Sequence, residues 1–197
     1  MKKHAFTMIE LVFVIVVIGI ITSVMLPRFD RDNVYEAAQQ VISHIKYTQH
    51  LAMIDNKYDD ADPNWFLERW QIQFYNCGGY VIFSDTNQLG GPDRSESAVE
   101  PLSRKRLFTT NTCTESPQDF DKIVLSNNYD ITSVTFGAGC GGNQYIMFDH
   151  LGRPYSARTV NGVLTNNCDI TLTSGSGSGA VIRVVPETGY AYLLNYF

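Results

Sequence analysis

The chemistry-bearing side chains of this 197-residue chain are four cysteines, four histidines, a cluster of aspartates, a basic triplet and one glutamate set in an apolar run. Cys77, Cys113, Cys140 and Cys168 are spaced by 36, 27 and 28 residues. Zinc sites draw ligands from short spacings such as C-x-x-C, so these cysteines do not read as a metal site. An even count in an exported domain reads as two disulfides, with three connectivities open. Sequential pairing, Cys77 with Cys113 and Cys140 with Cys168, is favoured because it closes the loops of local hairpins. Paired cysteines leave no thiolate to act as a nucleophile. Asp55, Asp59, Asp60 and Asp62 invite a calcium reading, but Lys57 stands at the third position and the loop has no central Gly. A solvated acidic loop fits better. Gly139-Cys140-Gly141-Gly142 lacks the Lys-Ser/Thr of a phosphate loop. His4, His44, His50 and His150 are scattered, and no general acid, base and nucleophile assemble. The chain reads as a non-enzyme with no cofactor and no metal. Arg104-Lys105-Arg106 is the densest basic cluster and the candidate for contact with nucleic acid, joined by Arg153, Arg158 and Arg183 should the fold bring them together. The net charge of −5 argues against general phosphate binding, which depends on Lys and Arg.

The elements that must carry these residues divide the chain sharply. Met1–Ala5 is short and basic, and Phe6 to Leu26 then runs for 21 residues with one charge, Glu10. At 1.5 Å per residue such a helix matches the roughly 30 Å hydrocarbon core of a bilayer. Lys2 and Lys3 before it hold the N-terminus on the cytoplasmic side. The expectation is a single-pass protein of the bacterial inner membrane with its C-terminal domain in the periplasm. No A-x-A-like site follows the run, which disfavours a cleaved secretory signal. A carboxylate in such a segment is costly, and Glu10 therefore needs a cation supplied from outside it. Residues 33–54 carry a second helical pattern. Val34, Ala38, Val41, Ile45, Thr48 and Ala52 form one apolar stripe, opposite Glu36, Gln39, Gln40, Ser43 and Lys46. Asp30 or Asp32 serves as its cap. The two stretches together predict one long helix kinked near Pro27. From Arg69 the period becomes two. Trp70–Tyr75 and Tyr80–Ser84 predict a hairpin, with further strands at Lys122–Ser126, Ile131–Phe136, Tyr145–Phe148, Ile170–Thr173, Val181–Val185 and Tyr190–Leu194. Strands without intervening helices imply an antiparallel arrangement. The fold class expected is α+β: a long kinked N-terminal helix, transmembrane then amphipathic, packed on an antiparallel β-sheet domain of about eight strands. The segments are a leader (1–5), a transmembrane helix (6–26), an amphipathic helix (27–54) and the β domain (55–197).

Ala5-Phe6-Thr7-Met8-Ile9-Glu10-Leu11-Val12-Phe13-Val14-Ile15 resembles the class III signal of type IV pilins and pseudopilins. The resemblance implies cleavage between Ala5 and Phe6 by a prepilin peptidase and N-methylation of Phe6. It implies that Glu10 meets the α-amino group of a neighbouring subunit's Phe6 during assembly, and that Pro27 is the helix-kinking proline. Ala5 stands where the family prefers Gly. Cleavage leaves 13 basic against 20 acidic residues, a formal charge of −7. The segment Phe148-Asp149-His150-Leu151-Gly152-Arg153-Pro154, with Ile182-x-Val-Val-x-Pro-Glu-Thr-Gly189, resembles H-type minor pseudopilins of type II secretion and fimbrial-T-like minor pilins, which pack two small sheets on the helix. The function so implied is that of a minor subunit of a filament anchored in the inner membrane, in type II secretion, type IV pili or DNA uptake for competence. Its partners would be other subunits, the prepilin peptidase and the membrane assembly platform. Two alternatives stand beside it: a DNA-binding minor pilin for natural transformation, and a membrane-anchored periplasmic binding protein that never polymerises.

Overall fold

The computed structural model describes residues 7–25 and 33–197. The chain divides into two units, Met1–Asp32 and Asn33–Phe197. The first holds helix α1 (Met8–Met25) and the second begins with helix α2 (Asn33–Ile54). Among the described residues these helices run for 18 and 22 residues, and the junction expected to join them lies outside the described residues. Thr7 starts α1, accepting at its carbonyl from the amides of Glu10 and Leu11 at 3.1 and 3.3 Å. Eighteen residues rise about 27 Å, short of the hydrocarbon thickness of roughly 30 Å. Among the described residues no helix is long and apolar enough to cross a membrane. The expected transmembrane helix, and with it the single-pass placement in the inner membrane, is corrected on this ground. Pro27, the supposed kink, and the capping candidates Asp30 and Asp32 lie outside the described residues.

The apolar stripe of α2 is buried as its spacing predicts. Val34, Ala38, Val41, Ile45, Thr48 and Ala52 all face inward, joined by Ala37, Ile42 and His44. A stripe with steps of three and four lies on one side of a 3.6-residue helix, so one surface collects these groups. Each fully buried aliphatic side chain there contributes on the order of 1.5–3 kcal/mol.

The β domain consists of two sheets, each of four strands. The first has the order β2–β1–β4–β5, from β1 (Trp70–Tyr75), β2 (Gly79–Phe83), β4 (Tyr145–Phe148) and β5 (Pro154–Tyr155). The second has the order β3–β6–β7–β8, from β3 (Ile131–Phe136), β6 (Cys168–Ser174), β7 (Gly179–Val184) and β8 (Ala191–Tyr196). All pairings are antiparallel. The chain visits the first sheet, crosses to the second for β3, returns for β4 and β5, and finishes in the second. Period-two alternation announces strands and says nothing about which strands pair, so this division is invisible to local pattern. Strands of both sheets pack on α2.

Two local expectations also change. Residues 122–126 are not a strand: a turn of 3-10 helix covers Asp121–Ile123 and the short helix α3 covers Leu125–Tyr129. Ile123, Val124 and Leu125 are consecutive and all buried, a pattern that a strand exposed on one face cannot give. Asp130 ends α3 in the left-handed conformation at φ 56°. Strand β5 was not anticipated. It is two residues long and lies at a sheet edge, a position that tolerates Pro154 because no ladder donor is required there.

Both disulfides form as sequential pairs, Cys77–Cys113 and Cys140–Cys168. The first pins the loop after Thr109 against the β1–β2 turn. A Cβ at Gly79 would sit 2.6 Å from Cys113 Sγ, so only glycine lets the bridge lie flat on the hairpin. The second ties the 3-10 turn Ala138–Cys140 to the first residue of β6.

Candidate functional site

Helix α1 carries the one site the sequence reading placed on described residues of the first unit. Its composition is Met, Ile, Leu, Val and Phe on every side, so no polar face exists to meet water. Every large apolar residue from Met8 to Ile21 is exposed except Val17, which is half-buried; Met8 is 86% exposed and Phe13 69%. A helix apolar all round is stable only when covered on all sides. Thr22 is satisfied internally by donating to the carbonyls of Ile18 and Gly19 at 2.8 and 3.0 Å.

Glu10 is the single charged side chain of α1 and occupies its first turn. Its amide donates to Thr7 Oγ1 at 3.4 Å, the N-cap arrangement of a Thr-x-x-Glu box. The positive end of the helix dipole favours a carboxylate at this position. Glu10 thus has a local role that the sequence reading did not name, and the Thr7-Met8-Ile9-Glu10 spacing was the available signal. Ala5 and Phe6, the expected processing junction and amine, lie outside the described residues.

The basic residues do not form one surface. Arg183 makes a two-point pair with Asp169, Nε to Oδ1 at 2.7 Å and Nη2 to Oδ2 at 2.8 Å, and this pairing pushes its pKa up. Arg158 donates to Gln71, Gln73 and the Gly90 carbonyl, with its guanidinium 5.1 Å from the Tyr145 ring. Arg153 pairs with Asp149. Within the triplet, Arg106 donates to the carbonyls of Ser97 and Ser95. Arg104 sits at φ 58° in a tight turn closed by its own amide on the Glu100 carbonyl. Lys105 borders a recess with Glu115, Asp119 and Asp121. Four of the six cations are committed to separate partners on different elements, and Lys105 borders three carboxylates. A phosphate backbone requires uncommitted cations side by side.

The acidic loop after α2 is held by its own side chains. Asn56, Asp59 and Asp62 each accept from a backbone amide two residues on, and Asp55 accepts from Trp70 Nε1 at 2.9 Å and pairs with Lys57. Among the described residues no group of three or more His, Cys, Asp or Glu could hold a metal ion.

The histidines are separated as well. His44 is buried in the α2 face, its Nδ1 2.6 Å from Tyr80 Oη. Gln40 Nε2 donates to the same oxygen at 2.9 Å, and Tyr129 Oη donates to Gln40 Oε1 at 2.7 Å. Burial pushes His44 down to about 4, partly opposed by Glu100, and pushes Tyr80 far up. This chain of polar groups joins α2, β2 and α3. A cleft that the sequence reading passed over lies elsewhere, where Arg69, Trp65 and Tyr155 meet; its residues come from three segments that share no motif. Comparison of the chain with family models, with curated proteins and with solved structures finds no match.

Proposed function

We propose that this chain is a minor subunit of a type IV pilin-like or pseudopilin filament, with no catalysis of its own. Removal of residues 1–5 by a prepilin peptidase frees the α-amino group of Phe6, and α1 then packs among the α1 helices of neighbouring subunits. The observation that carries this reading is α1 itself, exposed, apolar on all faces, and bearing one carboxylate near its start. Copies of such a helix cover one another, and the carboxylate then has to be neutralised inside the bundle. Removing one partner of a buried pair costs about 3–5 kcal/mol, enough to select a single axial stagger. The amine of a neighbour's Phe6 supplies that charge at the same level of the bundle. Two disulfides fit a domain that folds in an oxidising compartment.

The test is mass spectrometry of the N-terminus of the protein recovered from its own cells, with subunit cross-linking in the same cells. A chain beginning at methylated Phe6, and cross-links between α1 helices that vanish in Glu10→Val, support the reading. A chain beginning at Met1, or assembly unchanged in Glu10→Val, overturns it.

A further inference from the structure

A cleft of about 400 Å3 opens between the loop after α2, the Asp149–Arg153 turn and the segment after β5. Arg69 lies at its base and is only 2% exposed. Its guanidinium is stacked between two rings, 3.7 Å from the centroid of Tyr155 and 4.7 Å from that of Trp65. One hydrogen bond holds it, from Nη1 to the Thr159 carbonyl at 2.9 Å. Nε is buried with no partner, and Nη2 makes no hydrogen bond among the described residues. Nor does Arg69 belong to any ion pair among them. Asp149, the nearest acid, is already saturated. Its Oδ1 accepts from the amides of Leu151 and Arg153, and its Oδ2 accepts from Arg153 Nε at 2.8 Å and Tyr155 Oη at 3.2 Å.

A buried guanidinium without a counter-ion is an expensive arrangement. Stacking on aromatic faces offsets part of the cost and leaves Nε and Nη2 without a hydrogen bond among the described residues. The residues around it divide by chemistry. Arg153 stands at the rim, while Tyr58, Trp65, Val160 and Val163 make an apolar wall. With Asp149 neutralising one of the two arginines, the cleft keeps a single net positive charge. One negative charge balances it, and a phosphate dianion overshoots.

We propose that this cleft binds a monocarboxylate carried on an apolar or aromatic body, the carboxylate on Arg69 and Arg153 and the body against Tyr58 and Trp65. The volume lies in the ordinary range for small-molecule sites. Every residue lining the cleft belongs to the second unit.

The chain's two tryptophans report on it directly: Trp65 lines the cleft, and Trp70 lines the adjoining small void that Arg69 also borders. The full chain, held in a neutral detergent, is titrated with N-acetyl-L-phenylalanine, with its amide and with inorganic phosphate while tryptophan emission is followed. The expected result is a saturable change with the free acid and affinity about tenfold or more weaker for the amide, because the charge-assisted hydrogen bonds are lost. Arg69→Gln removes the effect, with near-UV circular dichroism checking that the fold survives. Val160→Phe, at a half-exposed wall position, fills the cleft without touching the core and abolishes binding of the acid. Equal affinity for acid and amide, equal affinity for phosphate, no saturable change across the millimolar range, or undiminished binding in Val160→Phe overturns the proposal.

Discussion

Lowering the pH from 7 to 5 should destabilise this fold through His44 by an amount the structure specifies. His44 is 8% exposed and packed against the Tyr80 and Phe120 rings, with Tyr80 Oη on its Nδ1. Glu100 is the one charged group acting on it appreciably, and its pull toward the imidazolium is outweighed by burial, leaving a folded-state pKa of about 4. The unfolded chain protonates the same ring near pH 6.5. Because the folded value lies below the unfolded one, the ring's contribution is fully present above pH 6.5 and is lost as pH falls toward 4. At pH 5 the unfolded state is almost wholly protonated at this site and the folded state about one-tenth so. Linkage then removes about 2 kcal/mol, growing to about 3 kcal/mol at pH 4. Such a loss is a sizeable part of a typical stability of about 5–15 kcal/mol. The assay is urea unfolding with disulfides intact at the two pH values, for the native chain and for His44→Gln. Glutamine can still hydrogen-bond to Tyr80 and does not titrate, so carboxylate effects common to both chains cancel. The native chain should lose about 2 kcal/mol more than the variant. Equal losses, or an NMR titration of the His44 ring centred near 6.5, would refute the reasoning.

Glu10→Gln should keep α1 helical by circular dichroism, since Thr7 remains its N-cap, and should nonetheless abolish subunit cross-linking along with Glu10→Val; assembly by the glutamine variant would show that charge pairing is not what Glu10 supplies. Removing Cys77–Cys113 or Cys140–Cys168, which join residues 36 and 28 apart, should lower unfolding free energy by about 3–4 kcal/mol each, measured by denaturant titration of the serine double variants. Ile45→Ala opens a cavity in the fully buried face of α2 and should cost about 2–5 kcal/mol in the same assay.

Helix α2, the β1–β2 hairpin and the strands expected at residues 131–136, 145–148, 170–173 and 181–185 were legible because sequence pattern is a local property. In α2 and β6 the apolar residues repeat at 3.6 and 2, and burial follows the repeat. The run Ile123-Val124-Leu125 misled for the same reason. Three apolar residues in succession fit a short strand in sequence, while the tertiary structure buries all three in a helical turn beneath α2. The length of α1 was overestimated because hydropathy counts apolar residues and does not mark where the helix begins; Thr7 and its capping bonds do. The arginines show the converse limit. Arg153, Arg158 and Arg183 carry charge in any sequence, and whether that charge is free depends on Asp149, Gln71 and Asp169, which lie 4 to 87 residues away.

By itself, then, the sequence determined the existence of an apolar first segment with a single carboxylate, an amphipathic second helix, a run of strands and four cysteines able to pair in order. Each of these follows from residue type and near-neighbour spacing. Only the tertiary structure decided which strands pair in each of the two sheets packed on α2, that burial favours the neutral ring of His44 against Tyr80, and that Arg69 stands without an ion pair between Trp65 and Tyr155. Those three outcomes depend on groups far apart in the chain, and the free energy of a buried charge or a strand pairing is set by the partners the fold brings to it, not by its neighbours in sequence.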